Sequence, residues 1–323
     1  MEKGKRMSKK AKFTSSGAPI RETPLSTKIW NYRGYYLMFV PVVIFVLLIY
    51  YWPMLGIRYA FYDYKPIGAQ VFVGFKHFTT MFSTKAFWTA FTNTLQLSIL
   101  KLIITTFTAV VASVFLNEMG NLLAKKSLQT VIYLPHFMSW AVVAGIFSML
   151  LSPTSTGMVN GIIQDINPNY TAIYFLADKA WWQPIFYVIN IWKETGWGTI
   201  IFLATLSGIN PELYEAADID GATRMQKIWN VTVPALTNTI ITVLILNLAK
   251  VMNMFESVFV LYNANVYDVS DVISTYIYRM TFATARANYG YSIAVGLFKS
   301  LVGGALVLIC NWLSKKVRGR GIL

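Results

Sequence analysis

The chain reads as an all-α, polytopic membrane protein on three grounds: its composition, its apolar stretches of spanning length, and the placement of its basic residues. Of 323 residues, 55% are apolar and 13% are charged, whereas soluble chains run nearer roughly 45–50% and about 25%. Apolar surface in that excess must face something other than water, and the bilayer is the solvent that accepts it. A net charge of +14 does not mark a nucleic-acid binder, which clusters its basic residues on one face of a water-soluble domain. Here Lys and Arg gather at the ends of apolar stretches, as they do in the cytoplasmic flanks of membrane helices.

Six stretches suffice for a hydrocarbon core that takes roughly 20 apolar residues per helix. They are 36–52, 94–116, 131–151, 184–206, 240–261 and 291–313. Helices are expected because each backbone N–H and C=O in lipid needs a partner within its own segment. The basic residues set the orientation. One side carries the N-terminal tail (Lys3, Lys5, Arg6, Lys9, Lys10, Lys12, Arg21, Lys28, Arg33), Lys125 and Lys126, Arg224 and Lys227, and Lys315, Lys316, Arg318 and Arg320. The other has Arg58, Lys65, Lys76, Lys85, Lys179, Arg279 and Arg286. Both termini are therefore expected in the cytoplasm, as basic tails over 1–34 and 314–323 around a transmembrane domain over 35–313. No small-residue cleavage site follows the first apolar stretch, so it reads as an uncleaved span rather than a signal peptide.

Aromatic residues agree with these limits. Tyr35, Tyr36, Tyr50, Tyr51 and Trp52 bracket the first span, and Trp181 and Trp182 precede the fourth, where amphipathic rings suit the headgroup layer. In the external loop over 53–93, Phe75, Phe78 and Phe82 recur at helical spacing. They predict an amphipathic helix that lies on the outer leaflet, packs on the bundle or meets a partner subunit.

Neither a metal nor a catalytic centre is expected. The single cysteine, Cys310, excludes an intrachain disulfide and a Cys-cluster metal site. His77 and His136 are far apart and lack an HExxH context. No GxxxxGK[ST] phosphate loop occurs, so the chain does not hydrolyse ATP itself.

The connection over 211–234, expected on the cytoplasmic side, carries the most specific signal. Asn210 can cap a short helix with Pro211 in its first turn, where Glu212 and Glu215 complement the dipole. Gly221 breaks or bends that helix. A second amphipathic turn (Met225, Ile228, Trp229) runs to Pro234, which is expected to start the next membrane segment. The product is an elbow parallel to the membrane, with Ala216, Ala217, Gly221 and Ala222 at its corner, small enough for a partner to approach the backbone.

This stretch resembles the EAA loop of the maltose-type, binding-protein-dependent ABC importer permeases: Glu-Ala-Ala, three residues, Gly, nine residues, Ile-x-Leu-Pro. Glu215, Ala216, Ala217, Gly221 and Pro234 occupy those positions, Val231 and Val233 replace Ile and Leu, and Asp220-Gly221-Ala222 matches the sugar-permease version. The segments 51–56 (YWPMLG), 60–66 (AFYDYKP) and 134–140 (LPHFMSW) look like the branch associated with poly- and oligosaccharide uptake. The resemblance implies a type I ABC importer permease fold in a bacterial inner membrane. It further implies a heterodimer with a second permease, two ATPase subunits docked at the EAA loops, an external solute-binding protein and an oligosaccharide substrate. On that reading no cofactor is bound by this chain, since ATP and Mg belong to the partner ATPase.

Ionisable residues within spans are functional candidates, and this chain has Lys101, Lys193, Glu194, Lys250, Glu256 and Lys299. In the resembled family the sugar-lining positions flank the EAA loop, which by location alone points to Lys193, Glu194, Trp197, Asn247, Lys250 and Met254. The last three follow i, i+3, i+7 spacing and would share a helix face. An aromatic platform with two ammonium groups suits a saccharide bearing carboxylates, such as a uronate oligomer. Alternatively Lys193 pairs with Glu194 or Glu256, or these residues bridge to the partner permease; Lys101 and Lys299 are expected to snorkel or pair between helices. An ion-coupled secondary transporter would use Glu194 and Glu256, and a channel-type protein fits the spans equally well. Both leave the elbow unexplained.

Overall fold

The computed structural model of the protein describes residues 24–154, 157–284 and 287–318. The basic tail before Pro24 and the last residues of the C-terminal tail lie outside the described residues. The chain divides into two units that part between Ile57 and Arg58. In the first, a short helix at Leu25–Asn31 precedes α1 (Arg33–Val46), which continues through a π turn at Leu47–Tyr51 into Trp52–Met54.

The second unit holds α2 (Lys76–Ser83), α3 (Lys85–Asn117), α4 (Leu122–Tyr133), α5 (Trp140–Leu150), α6 (Met158–Ile166) and α7 (Lys179–Leu206). It continues with α8 (Glu212–Ile219), α9 (Arg224–Lys227), α10 (Val233–Leu248), α11 (Ile273–Tyr278) and α12 (Tyr289–Arg318), joined by short 3-10 and π turns. A two-residue hairpin pairs β1 (Tyr62–Asp63) with β2 (Val71–Phe72), with Tyr62 opposite Phe72.

Four helices among the described residues are long and apolar enough to cross a membrane: Arg33–Phe61, Lys85–Asn117, Arg224–Leu248 and Tyr289–Lys316. They contain three of the predicted stretches and part of a fourth. The predicted third stretch, 131–151, is a broken one: Leu122–Phe137 and Trp140–Leu150 meet at 102°. Met138 turns extended, and the Ser139 hydroxyl restarts the helix by accepting the N–H of Val142 at 3.3 Å. The predicted fourth is a single helix, α7, that hides Asn190 and Lys193 inside the protein.

The predicted fifth stretch, 240–261, is cut short. The helix ends at Leu248, and the chain passes through a 3-10 turn at Val251–Asn253 and extended Met254 before a short turn at Glu256–Phe259. The Ser98 hydroxyl donates to the freed carbonyl of Val251 at 2.8 Å. Irregular backbone at membrane depth is tolerated only where it is buried in protein or lines a cavity. Asn247, Lys250 and Met254 therefore do not share a helix face.

Two π turns precede a proline by two residues: Leu47–Tyr51 before Pro53, and Ile228–Thr232 before Pro234. Proline lacks an N–H and its ring presses on the carbonyl four residues back; a wider turn relieves both. The helix therefore runs on through Pro234, without interruption from Arg224 to Leu248.

The long helices α3 and α7 pack against each other through small and hydroxylated residues, as apolar helices do when backbones approach closely. A Cβ on Gly198 would lie 2.7 Å from that of Ala109. The hydroxyls of Thr108 and Thr195 are 3.0 Å apart, and Gln96 donates to Gln183 at 3.3 Å. On α2, His77 and Met81 are buried and Phe78 packs on the Met81–Phe87 cluster, while Phe75 and Phe82 stay exposed. The phenylalanine spacing found this helix but not its buried face.

Near the N-terminal ends of α3 and α7 a polar cluster ties down the chain between α10 and α11. Asn93 donates to the carbonyls of Asp268 and Asp271 at 3.1 Å each. Asp271 is buried, accepts from Thr275 at 2.7 Å and pairs with Arg279. Burial pushes its carboxyl above the usual range, against the Thr275 hydroxyl and the Arg279 charge. Lys179 pairs with exposed Asp268 and holds that carboxyl low.

Candidate functional site

Two features of the second unit stand out: a cavity among α3, α7 and α10, and the elbow between α7 and α10. The cavity measures about 800 Å³, within the roughly 300–1,000 Å³ of small-ligand sites. Of the six predicted pathway residues, Glu194, Trp197, Asn247, Lys250 and Met254 line it. The break at Leu248 brings the last three together by turning the chain into the cavity. Lys193 is not on that wall. It is buried, and its ammonium donates to the carbonyls of His136 at 2.8 Å, Met138 at 2.7 Å and Pro135 at 3.4 Å. It pairs with neither Glu194 nor Glu256.

The wall also contains Lys101, Trp140, Phe255 and Glu256. Lys101 was expected to snorkel or pair; instead it lines the cavity. Among the described residues it makes no ion pair with Glu194. Neither does Lys250 make an ion pair among the described residues. Glu194 is engaged: His136 Nδ1 lies 3.2 Å from its Oε2, and the imidazole stacks on Trp197 with ring centroids 4.8 Å apart. Lys299, the other expected pairing residue, donates to Ser274 at 3.0 Å. Lys101 had one usable sequence signal, a lone charge within an apolar stretch. Lys193 differs locally in having Glu194 beside it, and that neighbour pointed to a pair the structure does not make.

The elbow is built as its residues dictate. Asn210 accepts the N–H of Glu212 at 3.2 Å and opens α8, which carries Glu215, Ala216 and Ala217. Asp220 is the C-cap, and Gly221 follows with φ +73°. Ala222 N–H donates to Ala217 at 2.9 Å and Gly221 N–H to Asp218 at 3.1 Å. This nested pair is a Schellman motif, which needs a left-handed residue at the position Gly221 holds. Thr223 then caps α9 in a reciprocal box with Gln226, a start signal in the sequence that the motif pattern overshadowed.

Bridges brace the corner. Lys227 pairs with Asp218 at 2.6 Å, Arg224 with Glu118 after α3 at 2.6 Å, and the hydroxyls of Tyr214 and Thr232 meet at 3.0 Å. Glu215, Ala216, Asp220 and Gly221 are exposed, Ala217 and Ala222 half-buried, and Pro234 is exposed at the start of α10. Leu213, Ile219, Met225 and Trp229 are exposed, Ile219 by 87%. An apolar crest on a fixed corner is unusual for a free surface and suits a partner.

Residues 106–319, which contain the elbow and most of the cavity wall, match the family described as binding-protein-dependent transport system inner membrane component. The chain belongs to that family.

This permease is 39% identical to the polygalacturonan/rhamnogalacturonan transport system permease protein YteP of Bacillus subtilis (strain 168), over 92% of each chain. It is 38% identical to a chain in the crystal structure of a bacterial ABC transporter involved in the import of the acidic polysaccharide alginate. The TM-score there is 0.82, covering 91% of this chain and 99% of that one. It is 37% identical to a chain of a bacterial alginate ABC transporter in complex with an alginate pentasaccharide-bound periplasmic protein. That match has a TM-score of 0.83 and covers 92% and 99% of the two chains. The permease is thus a multi-pass transport subunit rather than an enzyme, and the ion-coupled and channel alternatives fall.

Proposed function

We propose that this permease forms half of the translocation pathway for an acidic, uronate-type oligosaccharide in a bacterial inner membrane. A second, homologous permease supplies the other half. Six spans, counting the broken third and α7, put both termini in the cytoplasm. Two ATPase subunits, holding ATP and Mg, dock at the elbows over 211–234, and an external solute-binding protein delivers the sugar.

The observation that carries the substrate class is the pair of ammonium groups, Lys101 and Lys250, on one cavity wall with neither in an ion pair among the described residues. Lys101 is half-buried and Lys250 exposed on that wall, and a carboxylate-bearing ligand supplies a counter-ion that both ammonium groups can reach. Trp140, Trp197 and Phe255 line the same cavity. The relatives support the same class, since polygalacturonan and alginate are the substrates named for them.

The test is substrate-stimulated ATPase in the reconstituted complex with Lys250→Met. A hydrogen bond to a charged group contributes about 1.5–3 kcal/mol, so half-maximal stimulation should require about tenfold to a hundredfold more acidic oligomer. Stimulation by a neutral oligomer should not change. Equal responses of parent and variant to both oligomers would remove the acidic substrate.

A further inference from the structure

Lys193 has a different role from the cavity lysines. At the break between α4 and α5 the backbone turns extended at Met138, and the helix restarts only at Trp140. Carbonyls at such a helix end lose their partners and carry partial negative charge. Pro135 accepts the N–H of Met138 at 3.2 Å, but among the described residues no backbone N–H outside the helices reaches the carbonyls of His136 or Met138. The ammonium of Lys193 reaches all three, at 3.4, 2.8 and 2.7 Å, and lies 5.4 Å from the Trp140 ring centroid. An ammonium has three N–H donors, and here each has an acceptor.

One turn further along α7, Gly196 lies against the same segment: a Cβ there would stand 2.2 Å from the Ile132 carbonyl oxygen. Residues three apart share a helix face, so α7 holds the broken helix at two successive points. Between and beside these points lie the groups that shape the cavity: Trp140, Glu194 with its His136 partner, and Trp197. At its other end α7 stops at Leu206, and the elbow begins at Asn210.

We propose that Lys193 is a positioning residue that clamps the broken helix to α7, so that the aromatic wall of the cavity follows when the elbow moves α7. The clamp deepens the transport reading and rests on it only for this functional consequence. Its cation binds carbonyls of its own chain and leaves substrate to Lys101 and Lys250.

The experiment is hydrogen exchange with mass spectrometry on the assembled complex, paired with ATPase stimulated by loaded binding protein. In Lys193→Met, amides over 136–143 should exchange about tenfold faster through local opening, while those over 211–221 keep the parent rate. Lys193→Arg, which retains a cation with several donors, should recover most of the protection. Maximal stimulation should fall in the Met chain with the half-saturating concentration unchanged, the reverse of Lys250→Met, which should leave exchange over 136–143 untouched. Should the Met chain not accumulate, Lys193→Gln, with two N–H donors and no charge, serves the same comparison. Parent-like exchange over 136–143 without the cation would overturn the clamp, whatever Lys250→Met reports about the substrate.

Discussion

Exchanging Gly221 for Val should leave the chain in the membrane and weaken capture of the ATPase partner by about fivefold to a hundredfold. The residue holds φ +73°, and a Cβ built on it meets nothing within 4 Å. The penalty therefore comes from the backbone and not from a clash. A branched side chain in the left-handed region costs about 1–3 kcal/mol. That strain falls on the two bonds closing the Schellman motif, Ala222 to Ala217 and Gly221 to Asp218. If the turn relaxes, Ile219 and Leu213 on one arm lose their placement relative to Met225 and Trp229 on the other. Gly221→Asn separates the causes, because Asn tolerates this conformation yet fills as much of the surface. Titrated pull-downs with the ATPase should rank Gly, then Asn, then Val. An Asn chain as defective as the Val chain would make surface occupancy the cause, and parent affinity in the Val chain would remove the elbow as the docking element.

Gly196→Val should be the more damaging change to the fold. An ideal Cβ at Gly196 lies 2.2 Å from the Ile132 carbonyl oxygen, 2.8 Å from its carbon and 2.9 Å from Tyr133 Cα. All three atoms belong to backbone, so no side chain can swing aside. Forcing extra methyls into close packing typically costs about 1–3 kcal/mol, and a backbone neighbour puts this site at the upper end or beyond. The variant should accumulate poorly, and what is purified should melt at a clearly lower temperature in detergent. Gly145→Ala and Gly303→Ala are the controls: nothing lies within 4 Å of either Cβ, and changes of about 0.5 kcal/mol or less are expected. A Gly196→Val chain that melts with the controls would mean that α4 and α7 do not meet as described.

The membrane class and the elbow were legible because both are local. Spanning stretches depend on mean polarity over some twenty residues. The elbow's corner is written in contiguous sequence, from the Asn210 cap to the left-handed Gly221 and the Thr223 cap. The cavity was legible in location only. Asn247, Lys250 and Met254 were expected on one helix face; they line one cavity because the helix ends at Leu248 and the chain turns inward. No residue in 240–261 announces that ending, since Ser98, which takes the freed Val251 carbonyl, is 153 residues away.

By itself, then, the sequence determined that this chain spans a membrane and carries a sharp, small-residue bend between two polar-capped turns, because polarity and backbone propensity act over a few neighbours. Tertiary structure alone decided which lysines face the cavity. Lys101 and Lys193 are each a lone cation in an apolar stretch, yet one lines a cavity and the other binds three carbonyls. A buried charge takes its role from whatever polar groups surround it, and for Lys193 those come from a break in a helix more than fifty residues earlier.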